Sequence, residues 1–195
     1  MSASRGTWHL RPVGCPAVTS EFAVWAFGAD RPGIVAAVTG VLFGVGCNLK
    51  DCSMTVLSRH FAMTMLVEGP DDLDPEALEA ELAKSEGCAE LTVAVRPAGE
   101  GASIVGNPPY LVSVYGSDHP GIVHRISTLL ADNSVNITDV NTRVIGENQD
   151  PVYAMLLEVI LPRSLDPAEL DGALQATAAE VGVDASLHPA DADVL

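Results

Sequence analysis

Two segments of the 195-residue chain set an acid, a proline and glycines in the same order: Gly28-Ala29-Asp30-Arg31-Pro32-Gly33 and Gly116-Ser117-Asp118-His119-Pro120-Gly121. Each follows an apolar stretch, leads into a helical pattern, and is followed after that pattern by an asparagine, Asn48 or Asn136. The start of a helix carries unpaired N–H groups and a partial positive charge, a seat for a small carboxylate. Glycine at positions 33 and 121 lets a ligand approach the backbone. Asp30 or Asp118 can take an ammonium group, and the carboxamide of Asn48 or Asn136 can both donate and accept. Gathered in one place, each set describes a site for a free amino acid, whose zwitterion needs those opposing partners. The local alternative is that the aspartates cap their helices and the asparagines accept a positive backbone angle after them.

The elements that must position these residues occur twice. Residues 24–35 recur as residues 112–123, and the match continues through Leu42 with Leu130, Asn48 with Asn136, Asp51 with Asp139 and Val56 with Val144. After a longer loop in the second copy it resumes, with residues 61–63 against 153–155 and 73–78 against 165–170. Self-similarity on this scale marks a duplicated unit. In the first copy, residues 22–28 read as a buried strand. Asp30-Arg31-Pro32-Gly33 reads as a helix start, with Asp at or near the cap and Pro in the first turn. Ile34, Val35, Val38, Val41, Leu42 and Val45 follow at helical spacing, and Gly44 and Gly46 end the helix. Residues 48–57 and 60–68 form a hairpin. Asp74-Pro75-Glu76 caps a second helix with Leu78 and Leu82 inward, and residues 91–95 supply the last strand.

The second copy repeats this with strands near residues 110–116, 135–145, 152–161 and 183–187, and helices near 120–133 and 167–181. The order βαββαβ, taken twice, predicts an α+β chain of two ferredoxin-like sandwiches, each an antiparallel sheet with helices on one face. The domains fall at residues 21–96 and 110–189, with an N-terminal arm (1–20), a linker (97–109) and a C-terminal tail (190–195). Residues 152–161 are apolar on both alternating faces. A helix layer covers one of them, so the other is expected to pack on a further sheet, from the sister copy or a second chain.

Ten Lys and Arg against 26 Asp and Glu leave a formal charge of -16, spread through both copies. Such a chain repels phosphate polymers and anionic membranes, so direct nucleic-acid binding is not expected. No apolar run approaches the roughly 20 residues of a membrane span, and the first twenty residues do not read as a secretion signal, so a cytoplasmic protein is expected. Cys15, Cys47, Cys52 and Cys88 lack the spacing of a zinc site or a disulfide scaffold and read as reduced, mostly buried thiols. No nucleophile stands with Asp118-His119 in a recognisable arrangement, and no set of metal ligands is found. Neither enzyme chemistry nor a cofactor is expected.

Asp30-Arg31-Pro32-Gly33-Ile34-Val35 with Asn48-Leu49-Lys50-Asp51, and Asp118-His119-Pro120-Gly121-Ile122-Val123 with Asn136-Ile137-Thr138-Asp139, resemble the ACT domain. The resemblance covers about residues 22–95 and 110–189. As a pair of such domains with no enzyme attached, the chain is similar to the glycine cleavage system transcriptional repressor-like proteins. The first copy also resembles the ACT regions of formyltetrahydrofolate deformylases and of some phosphoserine phosphatases, but the repeat restarts after Pro109, so neither catalytic domain is expected. The resemblance implies ferredoxin-like domains that associate through sheets and helices and bind amino acids at domain interfaces. The ligand loops fall on residues 28–35 and 116–123, including Ile34, Val35, Ile122 and Val123, and the ligand-facing asparagines on Asn48 and Asn136. Arg31 and His119 differ at the variable loop position, so the two sites need not be equivalent. The function expected is a non-catalytic amino-acid sensor, paired within the chain and as a homodimer, acting through a protein partner that is a transcription regulator or an enzyme. The alternative is an interaction or oligomerisation module indifferent to metabolites.

Overall fold

Phe61, Met63, Met65 and Val67 are buried while Ala62 and Thr64 between them are exposed, the period of two of a strand covered on one face. In the second copy Tyr153, Met155, Leu157 and Val159 repeat the pattern. These strands sit inside two separate sheets. The computed structural model describes residues 19–99, 108–145 and 152–190. Most of the expected arm, the middle of the linker, nearly all of the tail and the loop at 146–151 lie outside the described residues.

The chain divides into two compact units after Ala102. The first contains β1 (Thr19–Ala29), α1 (Ile34–Gly44), β2 (Asn48–Leu57), β3 (His60–Pro70), α2 (Pro75–Lys84) and β4 (Thr92–Pro97). The second contains β5 (Tyr110–Ser117), α3 (Ile122–Asp132), β6 (Asn136–Ile145), β7 (Val152–Ile160), α4 (Pro167–Glu180) and β8 (Val183–Pro189). The sheets are ordered β2-β3-β1-β4 and β6-β7-β5-β8, with every neighbouring pair antiparallel. The expected α+β architecture of two βαββαβ sandwiches is therefore present.

Each unit has its own core. Phe22, Val24 and Ala26 of β1 meet Ile34, Val38 and Leu42 of α1 and Leu78 and Leu82 of α2. Val112 and Val114 of β5 meet Ile122, Ile126 and Leu130 of α3 and Leu170 and Leu174 of α4. The second helices start as the sequence predicts: Asp74 accepts the Glu76 N–H at 3.1 Å and Asp166 the Ala168 N–H at 2.9 Å, each with a proline in the first turn. On the far face of β7, Ala154 is buried and Leu156 and Glu158 are exposed.

The outermost strand β2 is exposed along its whole length. Met54 and Val56 lie level with the buried Met63 and Phe61, yet they are 50% and 45% exposed because no helix extends over them. The same lack of cover corrects the expectation of mostly buried thiols. Cys88 is buried, but Cys52 on β2 is exposed and Cys47 is half-buried, its thiol pKa raised by that burial. Cys15 lies outside the described residues.

At the opposite edge both units use one device. Glu79 of α2 accepts the Val95 N–H of β4 at 3.0 Å, and Asp171 of α4 accepts the Leu187 N–H of β8 at 2.8 Å. A helix carboxylate thus holds an outward-facing donor of an edge strand. Asp171→Ala is expected to destabilise the second unit by about 1 kcal/mol, the ordinary worth of such a bond at a partly exposed site. Urea denaturation of the full chain checks this through a lowered midpoint, and Asp171→Asn should restore part of the loss.

Candidate ligand site

The loops after β1 and β5 end on glycines in the left-handed region, Gly33 at φ 94° and Gly121 at φ 104°. These glycines are the N-caps of α1 and α3, and neither helix receives a hydrogen bond from a capping side chain or has an acid in its first turn. The expected capping by Asp30 and Asp118 is corrected. The residue before a proline avoids the helical region, so the chain stays extended through Arg31 and turns at Pro32 and Gly33, and the cap falls three residues past the acid. Pro32 and Pro120 accordingly precede the cap and do not occupy the first turn. Asp30 is fixed through its backbone N–H, which donates to the Arg59 carbonyl at 2.9 Å. The first-turn N–H groups of both helices are left without a side-chain acceptor among the described residues.

The other loop residues divide by role. A Cβ on Gly33 or Gly121 would meet nothing within 4 Å, so these glycines are required by angle alone. Gly28 and Gly116 are required by contact. A Cβ on Gly28 would lie 2.8 Å from Leu91 Cδ2, and one on Gly116 would lie 2.6 Å from Val183 Cγ1 and 3.0 Å from Val183 Cα. Ile34 and Ile122 are core residues, whereas Val35 and Val123 stay exposed beside them. Arg31 turns away from the loop and donates from Nη2 to the Gly87 carbonyl at 2.7 Å, beyond α2. His119 donates from Nε2 to the Val181 carbonyl at the end of α4. Guanidinium and imidazole make the same tether, from the first loop to the end of the second helix.

The expectation that the asparagines join this cluster is also corrected. β2 is antiparallel to β3, which is antiparallel to β1, so β2 runs in the same direction as β1 and begins beside its start. Asn48 pairs with Glu68, the partner of Glu21, while Asp30 lies past the far end of β1. About nine residues of strand at 3.3 Å each put the two roughly 30 Å apart. Asn136 pairs with Ile160, near the start of β5, equally far from Asp118. The asparagines do not take the positive angle suggested for them either. Gly46 (φ 80°) and Ser134 (φ 56°) take it two residues earlier. Asn48 instead lines a cavity of about 1010 Å³ with Glu68, Asp71 and Asp72. There the Thr19 hydroxyl donates to Glu68, and with Lys50 it lowers the Glu68 pKa.

Asp30, Gly33, Ile34, Val35, Met54 and Phe61 are among the residues lining a cleft of about 460 Å³ at the start of α1. Met54 and Phe61 were not among the sequence candidates. The hairpin alternation could have found them, since both lie on the helix side of the sheet, Met54 level with Met63 and Phe61 with Val56, two residues apart along the β2–β3 hairpin. The matching residues of the second unit are Thr142 and Tyr153. Tyr153 is buried, its hydroxyl donates to Met155 Sδ at 3.7 Å, and its pKa is raised by burial and then by the charge of Asp118. Among the described residues no His, Cys, Asp and Glu group is placed to hold a metal ion, and no helix is long and apolar enough to cross a membrane.

Two antiparallel sheets of order 2-3-1-4, each with both helices on one face and an open, glycine-capped helix start at its first loop, define a tandem ferredoxin-like protein. Residues 20–96 and 109–188 match the ACT domain, and the chain belongs to that family. It is 24% identical over 171 residues to the glycine cleavage system transcriptional repressor of Escherichia coli, an alignment covering 85% of this chain and 87% of the repressor. It is 46% identical over 63 residues to a UPF0237 protein of Methanopyrus kandleri, covering 32% of this chain and 70% of that protein. The crystal structure of an unknown protein from Galdieria sulphuraria superposes with a TM-score of 0.77 at 26% identity, covering 89% of this chain and 99% of the other. One provisionally assigned as a glycine cleavage system transcriptional repressor gives 0.62 at 18% identity, covering 88% and 97%.

The contact at Gly116 is checkable. Gly116→Ala forces its Cβ into the Val183 backbone and is expected to cost about 1–3 kcal/mol through overpacking. Gly33→Ala meets open space and is expected to cost only the left-handed angle, about 1 kcal/mol. Thermal denaturation of the two variants should rank them in that order.

Proposed function

We propose that the chain is a non-catalytic regulatory protein that binds a free amino acid at the starts of α1 and α3 and passes its occupancy to a protein partner in the cytoplasm. The observation that carries this reading is a helix start that no side chain among the described residues caps, repeated in both units beside an aspartate left free of capping by that arrangement. The first-turn N–H groups receive the ligand carboxylate. Asp30 or Asp118 receives its ammonium group, with the flanking side chains shaping the remainder of the site.

The distance from these loops to Asn48 and Asn136 adds a condition. No one ligand reaches both ends of β1, so an asparagine that meets the ligand is supplied by another ACT domain. A second copy of the chain running the opposite way supplies it, which makes a homodimer part of this proposal. Ligand then favours one arrangement of domains by its differential affinity, and a partner that reads that arrangement is bound or released. With a formal charge of -16 the chain is unsuited to contact DNA, so the partner is a transcription regulator or an enzyme. The exposed apolar residues Met54, Val56, Val140 and Val144 on β2 and β6 favour a second reading, a constitutive oligomerisation module.

Thermal shift and calorimetry of the full chain against the common amino acids separate the two. At least one amino acid is expected to bind saturably, raising stability by about 2.7 kcal/mol at a hundred times its Kd. Asp30→Ala or Asp118→Ala is expected to weaken that binding at least tenfold with the fold intact. If no amino acid shifts the transition and light scattering finds the same oligomer in all conditions, the oligomerisation reading replaces the sensor.

A further inference from the structure

We infer that the cleft of the first unit selects an amino acid with an apolar side chain, aliphatic or thioether, through the exposed thioether of Met54 backed by the buried Phe61, and that the matching place in the second unit does not. This rests on the amino-acid reading above and adds the ligand class. Beyond the backbone and Asp30, the cleft presents Ile34, Val35, Ala36, Met54 and Phe61. Arg31 also borders it, but its guanidinium donates to the Gly87 carbonyl at 2.7 Å. With Asp30 holding the ammonium group, a ligand hydroxyl or carboxamide entering the cleft would lose water and find no side-chain partner. An apolar side chain has the opposite experience. Met54 is 50% exposed, and its flexible thioether has surface to bury against a ligand of varying shape. A cleft of about 460 Å³ has room for any one of leucine, methionine or phenylalanine.

The sister unit supplies the contrast. Thr142 stands where Met54 does and Tyr153 where Phe61 does, so two hydroxyls replace two apolar groups at equivalent register positions. Tyr153 is felt electrostatically by Asp118, which ties it to the same loop. The Tyr153 hydroxyl is buried on Met155 Sδ, so the exposed Thr142 hydroxyl is the group that meets a polar side chain here, where the first unit has only the Met54 thioether.

The test uses the full chain labelled with 13C at the methionine methyl groups, titrated with unlabelled leucine, methionine and phenylalanine and, separately, with glycine, serine and asparagine. The expected result is a saturable shift of the Met54 methyl resonance with a Kd at least tenfold lower for the apolar set. Met54→Thr, at a half-exposed site where the fold is preserved, weakens the best apolar ligand by about tenfold, while Thr142→Met leaves the response at Met54 unchanged. Binding that leaves the Met54 methyl unmoved, or that favours the polar set there, overturns this inference and leaves the amino-acid reading standing. Absence of binding by every amino acid overturns both.

Discussion

A residue in the left-handed region at the start of α1 and α3 is the constraint from which the site follows. An ordinary capping side chain would satisfy a first-turn N–H and close the helix start. Gly33 and Gly121 turn the chain by backbone angle and offer no side chain, so the helix begins with its donors open. The next residue, Ile34 or Ile122, is buried at once in the core. That burial fixes the rotation of the helix, and with it the direction in which the open donors and the exposed Val35 or Val123 face. The cleft is therefore a by-product of how the core grips the first turn.

The loop leading to that turn is held from outside. Arg31 and His119 differ in length, shape and donor geometry, yet each reaches a carbonyl just past the end of the second helix. A carbonyl left open at a helix end favours a donor of positive character, so the position tolerates two residue types as long as one donor arrives. Gly28 and Gly116 support the same loop by letting the first strand lie against Leu91 and Val183. Asp30 and Asp118 are thus presented by a loop anchored at its base and its middle, with their own carboxylates free of any capping duty.

Much of this was legible in the sequence. The two periodicities and the repeat gave the order of elements, and Asp-Pro followed by an acid gave the caps of α2 and α4 at Asp74 and Asp166. The same Asp-and-Pro logic failed at Asp30 and Asp118 because a further residue separates acid from proline and a glycine follows. There the extended preference before proline and the left-handed preference of glycine outweigh the capping preference of aspartate. The asparagines were misplaced for a topological reason. A strand reached through a crossover helix runs parallel to the strand before it, so Asn48 returns to the beginning of β1 and Asn136 to the beginning of β5. Met54 and Phe61 escaped notice because a cleft wall of apolar residues looks, in sequence, like core.

What the duplication kept and what it changed separate along the same line. Both units hold the glycine angles, the free aspartate, the helix-end tether and the carboxylate that secures the edge strand, all of which set backbone geometry. The residues that differ in chemical character, Met54 against Thr142 and Phe61 against Tyr153, stand at equivalent register positions outside that backbone frame. In the proposed site, a frame of N–H groups and a carboxylate would address the part common to every amino acid, and the side chains beside it the part that distinguishes them. Of these positions Met54 and Thr142 can vary without disturbing the fold, because both are exposed on an edge strand, whereas Phe61 and Tyr153 belong to the two cores and any change there has to be repacked.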